Sequence, residues 1–322
     1  MNRNEPLLSA CVLSFNEEAH IGRCLSSLEG LADEVVLVDS GSTDRTLEIA
    51  QEFAFVRVIE EPWVDDFAHH RNIALDAARG RFCLTIDCDE EIVNTDKEET
   101  RRNLTEVIVP ELLMVREMLR YPDGREITLV VPRVVRRDTG LRYIHAIHEQ
   151  LNVDDCTALL SNIYILHHGY TDPEELRSKE DRNLRIALNM PDSPHAFHCR
   201  ARAAMTLERW EILQQSCLQL MHCNAPPTVK FEAAIMGGVS AFNSQRLDEF
   251  QRFLREARSI DQNNPDVRYL ELLQSCHAYV ESLSELGDSA SPGEFIRPWT
   301  FWHERGYAIK LLETIAGRRK LA

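Results

Sequence analysis

The chain has 322 residues, 44% apolar and 27% charged, with a formal net charge of −16. That length and balance suit a globular protein of two domains with substantial cores, and the acidity excludes an extended nucleic-acid-binding face, which would be basic. Nine cysteines without a C-x-x-C pair point to reduced thiols in a cytoplasmic protein, not a disulfide framework or a zinc site. Residues 1–6 lead into no signal-peptide-like run, and no stretch approaches the roughly eighteen apolar residues of a membrane span.

Residues 7–14 are an apolar run that predicts a strand; Ile21, Leu25 and Leu28 then recur at helical spacing before Gly30. A second run, 34–38, leads into Asp39-Ser40-Gly41-Ser42-Thr43-Asp44, which is rich in turn and cap chemistry. A helix over 45–53 and a strand over 55–59 follow. Asp66 is placed to cap a helix reaching Arg79, with Gly80 as its stop. Residues 82–86 form a fourth apolar run, ending in Asp87, Asp89, Glu90 and Glu91. Strand and helix alternating in this way predict an α/β domain with a mostly parallel sheet. Neither a dinucleotide fingerprint nor a P-loop is present.

Strands are predicted over 105–110, 112–121 and 127–137, with Pro122-Asp123-Gly124 as a turn, and a helix over 173–190. Beyond Pro194 the pattern is all helical. Ala203, Trp210, Leu220 and Cys223 are echoed about 37 residues later by Ser240, Leu247, Ala257 and Ile260, the period of paired-helix, tetratricopeptide-like repeats. The expected division is residues 1–190 and 191–322. A loop over 288–292, aromatics over 295–302 and a helix over 304–315 complete the chain, and Arg318-Arg319-Lys320 could support a weak membrane contact.

Carboxylates at the exit of a buried strand sit where open α/β sheets bind ligands, and two Asp at i and i+2 can share a divalent cation and its phosphates. Read alone, Asp87-Cys88-Asp89 is equally an acidic exit facing water.

Four blocks in order resemble the family-2 glycosyltransferases: Ser14-Phe15-Asn16-Glu17-Glu18, Asp39-Ser40-Gly41-Ser42-Thr43-Asp44, Asp66-Phe67-Ala68-His69-His70-Arg71-Asn72, and Asp87-Cys88-Asp89-Glu90. His148-Glu149 and His167-His168-Gly169-Tyr170 narrow the resemblance to the branch with lipopolysaccharide-core glucosyltransferases and bacteriocin peptide S-glycosyltransferases. The resemblance implies a GT-A fold and a metal-dependent inverting transfer of a hexose from a UDP-sugar, with Mn²⁺ or Mg²⁺ as cofactor. Ser14, Phe15, Glu17, Asp39, Arg71 and Asp87 would bind the nucleotide-sugar; Asp89, His148 and Asp87 would hold the metal. Glu149 is the first choice of general base, with Glu90, and after it Glu91, behind; an ion pair with Arg142 is the competing role for Glu149. Asp44 reads as a cap, Asn72 as a structural bond, Cys88 as inert packing, His145 as structural or acceptor-side, and His167 and His168 as satisfied buried histidines. A hydroxyl or thiol on a peptide, protein or saccharide would be the acceptor, and the helical part would shape that site or a homodimer. The alternative is a helical-repeat scaffold whose α/β half binds nucleotide-sugar without turnover; a nucleotidyltransferase would show a Gly-rich phosphate loop.

Overall fold

The computed structural model describes residues 5–106, 111–120, 126–153, 156–168 and 173–285. The expected turn at 122–124, Gly169 and Tyr170, and everything expected beyond residue 285 lie outside them. The chain divides into two compact units, Met1–Lys179 and Glu180–Ala322; the division falls inside helix α5 (Pro173–Asn189).

The first unit has the α/β class expected. Strands β1 (Leu8–Ser14), β2 (Glu34–Asp39), β3 (Val56–Glu60) and β4 (Phe82–Asp87) alternate with helices α1 (Ile21–Leu28), α2 (Thr46–Ala50) and α3 (Phe67–Ala77). They pair in parallel in the order β3-β2-β1-β4. Because successive side chains leave a strand on opposite faces, a parallel strand covered on both sides is apolar throughout. Accordingly Leu8, Val12, Leu37 and Leu84 pack with α1 on one face, and Cys11, Val36, Val38 and Cys83 with α3 on the other.

Beyond β4 the sheet continues through β7 (Glu126–Arg136), β6 (Leu112–Arg120), β10 (Ala158–His167) and β5 (Glu90–Val93), giving eight strands among the described residues. The β4/β7, β6/β7 and β5/β10 pairs are antiparallel and β6/β10 is parallel. Short strands β8 (Tyr143–Ile144) and β9 (Gln150–Leu151) form a separate pair. Thr105 and Glu106 close helix α4 (Lys97–Glu106), so the strand expected from Thr105 does not start there.

Asp66 caps α3 as expected, accepting from the His69 N–H at 2.9 Å. Gly80 serves a different purpose from a helix stop. A Cβ there would stand 2.5 Å from Ser9 N and 2.9 Å from the Phe82 carbonyl oxygen, so the position is glycine because two backbones meet.

Among the described residues, the second unit is helical: α6 (Pro194–Thr206), α7 (Trp210–His222), α8 (Pro227–Asn243), α9 (Leu247–Asp261) and α10 (Pro265–Glu285). The echo in the sequence is a repeated turn. Glu208 and Gln245 each take φ of 56°, and the following N–H groups of Arg209 and Arg246 close back on Ala204 and Ala241, each at 2.8 Å. Trp210 and Leu247 therefore open equivalent helices. Gly238 admits Leu270, against which a Cβ would press at 2.9 Å.

Candidate active site

The carboxyl ends of β1 and β2 are stitched into one platform. Asp39 is almost wholly buried and accepts four hydrogen bonds: Ser14 Oγ at 2.7 Å, Ser42 Oγ at 2.5 Å, and the N–H groups of Gly41 and Ser42 at 3.0 and 2.8 Å. Asn16 adopts φ of 54° and binds the opposite loop both ways, its N–H to Ser42 Oγ and its Oδ1 from Thr43 N–H. Asp44 accepts from Thr46 N–H and from Glu18 N–H, both at 3.0 Å, so it caps the second loop and ties it to the first. Phe15, just past the end of β1, is 56% exposed. Glu17 pairs with His20 at 2.8 Å; burial raises its pKa against that pairing.

Beside the platform, the β4 exit holds a continuous run of alternating charge. Arg71, buried on α3, donates from Nε to Glu149 and from Nη1 and Nη2 to Asp87 at 2.9 and 3.3 Å, with its guanidinium 5.6 Å from the Tyr143 ring centre. Arg133 Nη1 lies 3.7 Å from Asp87 Oδ2, and its Nη2 lies 2.7 Å from Glu90 and 3.2 Å from Glu117. His167 stands 3.7 Å from Glu117 and 3.3 Å from Asp89, and Lys179 is also 3.3 Å from Asp89.

The protonation states follow from these partners. Burial would lift Asp87, but Arg71 and Arg133 outweigh it and hold its pKa low. Burial opposes ionisation of Asp89 too, yet His167 and Lys179 keep it well below the ordinary carboxylate range. For His167, burial disfavours the imidazolium, and Asp89 with the neighbouring acids more than offsets this, raising its pKa. Glu90 is pushed up to about 7, chiefly by burial and then by Asp87 and Glu117, against the pull of Arg133.

Of the residues expected here, Ser14 and Asp39 share the platform, while Arg71, Asp87, Glu149, Glu90 and Asp89 share the charged run. Glu90 is fully buried, with Oε2 accepting the Asp87 N–H at 2.8 Å and Oε1 held by Arg133; both oxygens are engaged in holding the turn. Glu149 pairs with Arg71, whereas Arg142 pairs with Asp76. His148 and His145 lie on the loop between β8 and β9 in left-handed conformations, φ of 47° and 76°, and Phe67 N–H fastens that loop through the Ala146 carbonyl at 2.8 Å. Asn72 is structural, exchanging two 2.9 Å hydrogen bonds with the Tyr143 backbone. Cys88 is buried and donates to the Leu13 carbonyl at 3.0 Å. Glu91 holds His168 at 2.9 Å.

Sequence reasoning missed Glu117, Arg133 and Lys179 and set His167 aside. Among the described residues, the trio offering three metal-type ligand atoms within 4.8 Å of one another is Glu90, Glu117 and His167, not Asp87, Asp89 and His148. The signal available was an ionisable residue interrupting an apolar strand run, as Glu117 and Arg133 do.

Residues 9–104 match the model of Glycosyl transferase family 2. A TPR repeat-containing protein of Synechococcus elongatus is 32% identical over 222 residues, covering 64% of this chain and 53% of that protein. The lipopolysaccharide core biosynthesis glycosyltransferase LpsC of Rhizobium meliloti is 32% identical, covering 56% and 50%. The prophage-derived glycosyltransferase SunS of Bacillus subtilis is 25% identical, covering 59% and 47%. The chain thus spans about half the length of these relatives.

Proposed function

We propose that the family-2 glycosyltransferase domain carried by residues 9–104 makes this chain a metal-dependent inverting hexosyltransferase that uses a UDP-sugar. The observation that carries the reading is the gathering of carboxylate and imidazole donors at the β4 exit. Five carboxylates (Asp87, Asp89, Glu90, Glu117, Glu149) face three permanent cations (Arg71, Arg133, Lys179) and one imidazole. With Asp87 and Asp89 kept ionised by their partners, this set of oxygen and imidazole donors fits a hard divalent cation such as Mn²⁺ or Mg²⁺. Asp89 would hold it, with Asp87 and His148 as further ligands. Bound there, the ion would neutralise charge developing on the departing diphosphate.

The protein's own groups supply the remainder. Phe15 would stack on the uracil, and Asp39, held in place by Ser14 and Ser42, would accept from the base. Glu17 would accept from the ribose hydroxyls. Arg71, now balanced between Asp87 and Glu149, would turn donors toward the diphosphate, where a fixed guanidinium stabilises charge better than water does. Glu149, released by that shift, would take the acceptor's proton as the acceptor attacks C1 from the face opposite the leaving group. A thiol acceptor would need that base less than a hydroxyl. The helical unit, with its repeated turns, would hold a peptide or saccharide acceptor or a second copy of the chain.

A screen of UDP-sugars for hydrolysis without acceptor, with and without Mn²⁺, tests this. Metal-dependent hydrolysis lost in Asp89→Ala is expected; hydrolysis unchanged in that variant would refute the metal assignment.

A further inference from the structure

The trio Glu90, Glu117 and His167 has the spacing of a metal site, yet Arg133 Nη2 already stands 2.7 Å from Glu90 and 3.2 Å from Glu117. The cation for these buried acids is built into the chain. Its delivery depends on an irregularity in the sheet. Leu113 pairs with Val134, but the next residue, Met114, pairs with Pro132. Arg133 is therefore the extra residue of a β-bulge on β7, and a bulge re-aims the side chain it carries. The guanidinium is largely buried, its side chain 15% exposed.

We propose that Arg133 is a positioning residue that locks the Asp87-Cys88-Asp89 turn through Glu90, a role that rests on reading Asp87 and Asp89 as donor-site residues. One oxygen of Glu90 takes Arg133 and the other takes the Asp87 N–H at 2.8 Å, so the guanidinium reaches the turn's backbone through a single carboxylate. Arg133 also faces the Asp87 side chain at 3.7 Å. On the far side Glu117 and His167 carry the contact on to Asp89. Without Arg133, Glu90 and Glu117 would be two buried acids with no guanidinium, and a carboxylate left so relocates or takes up a proton. The hold on the Asp87 N–H would go with it. A lysine keeps the charge but not the fork that spans several carboxylates at once.

Amide hydrogen exchange read by mass spectrometry on the full chain tests this without requiring activity. In Arg133→Lys and Arg133→Met, amides over residues 87–91 should exchange roughly tenfold or more faster than in the unaltered chain, with β1 and β2 unchanged. Mn²⁺-dependent UDP affinity, measured by titration calorimetry, should fall alongside. Exchange at 87–91 no faster than in the unaltered chain, or faster to the same degree across the whole sheet, would overturn the proposal. If Arg133→Met does not fold, Arg133→Lys decides. Failure of the unaltered chain to bind UDP would instead refute the donor-site reading, while the exchange comparison still judges whether Arg133 holds the turn.

Discussion

Arg71→Met would remove the guanidinium that joins Asp87 to Glu149. Arg71 makes three charge-assisted hydrogen bonds, one to Glu149 and two to Asp87, each of a kind that contributes about 1.5–3 kcal/mol. The two acids left behind differ. The Glu149 side chain is 12% exposed, so its charge stays buried; Asp87 is 33% exposed and retains Arg133 at 3.7 Å. Removing one member of a buried pair costs about 3–5 kcal/mol, and the partial relief at Asp87 places the expected loss near the lower bound, about 3 kcal/mol. Turnover should fall further than stability alone accounts for, by roughly 10²–10³-fold, the range for losing one preorganised donor at developing charge. Arg71→Lys should land between, since it keeps the charge and loses the bidentate contact. Urea titrations and kcat of the two variants check both numbers. A stability loss under about 1 kcal/mol would reduce the cluster to the worth of a surface ion pair, and an unchanged kcat would remove Arg71 from leaving-group stabilisation.

Two further expectations concern the opposite end of the sheet. Gly80→Ala forces a Cβ against backbone 2.5 Å away and should cost about 3 kcal/mol, the upper range for overpacking; a melting temperature equal to that of the unaltered chain would contradict the close approach. Glu34 accepts from Ser9 Oγ, the Arg79 N–H and the Arg79 guanidinium. Burial pushes its pKa up, but those donors prevail and hold it below 4.5. A depressed folded pKa means that its stabilisation is complete above the unfolded value near 4.5 and fades as pH falls through the folded one. Glu34→Gln should therefore destabilise at neutral pH and progressively less below about pH 4; an equal cost at both, by urea midpoint, would contradict the ion pairing.

The parallel half of the sheet was legible because each strand there is one apolar run and helical patterning fills the segments between them. Asp66 announced the start of α3, which carries Arg71, and the blocks around Ser14, Asp39 and Asp87 lay at strand exits, where the fold gathers them. The remainder depended on pairings that no local pattern encodes. Nothing near Glu90 indicates that its strand joins β10 at the sheet edge, or that His167 is its cross-strand partner. The bulge at Arg133 is a register shift between β6 and β7, invisible until both strands are aligned. Glu117 and Lys179 reach the site from strand and helix positions whose neighbours in sequence carry no motif. Gly80 misled because glycine serves both helix ends and close backbone contacts, and only three-dimensional packing tells them apart.

The two-residue link between β4 and β5 has a geometric consequence for the whole sheet. In strand order β5 is four places from β4, which in a flat sheet is about 19 Å at the usual spacing. Asp87 and Glu90 are joined by only three peptide units, which reach at most about 11 Å. The sheet must therefore roll until its far edge returns to its middle, and Cys88-Asp89 is the clasp. That roll turns β6, β7 and β10 inward, so Glu117, Arg133 and His167, dispersed over fifty positions of chain, arrive around one pair of aspartates. Lengthening the clasp would let the roll relax, and with it the spacing of every charge it gathers.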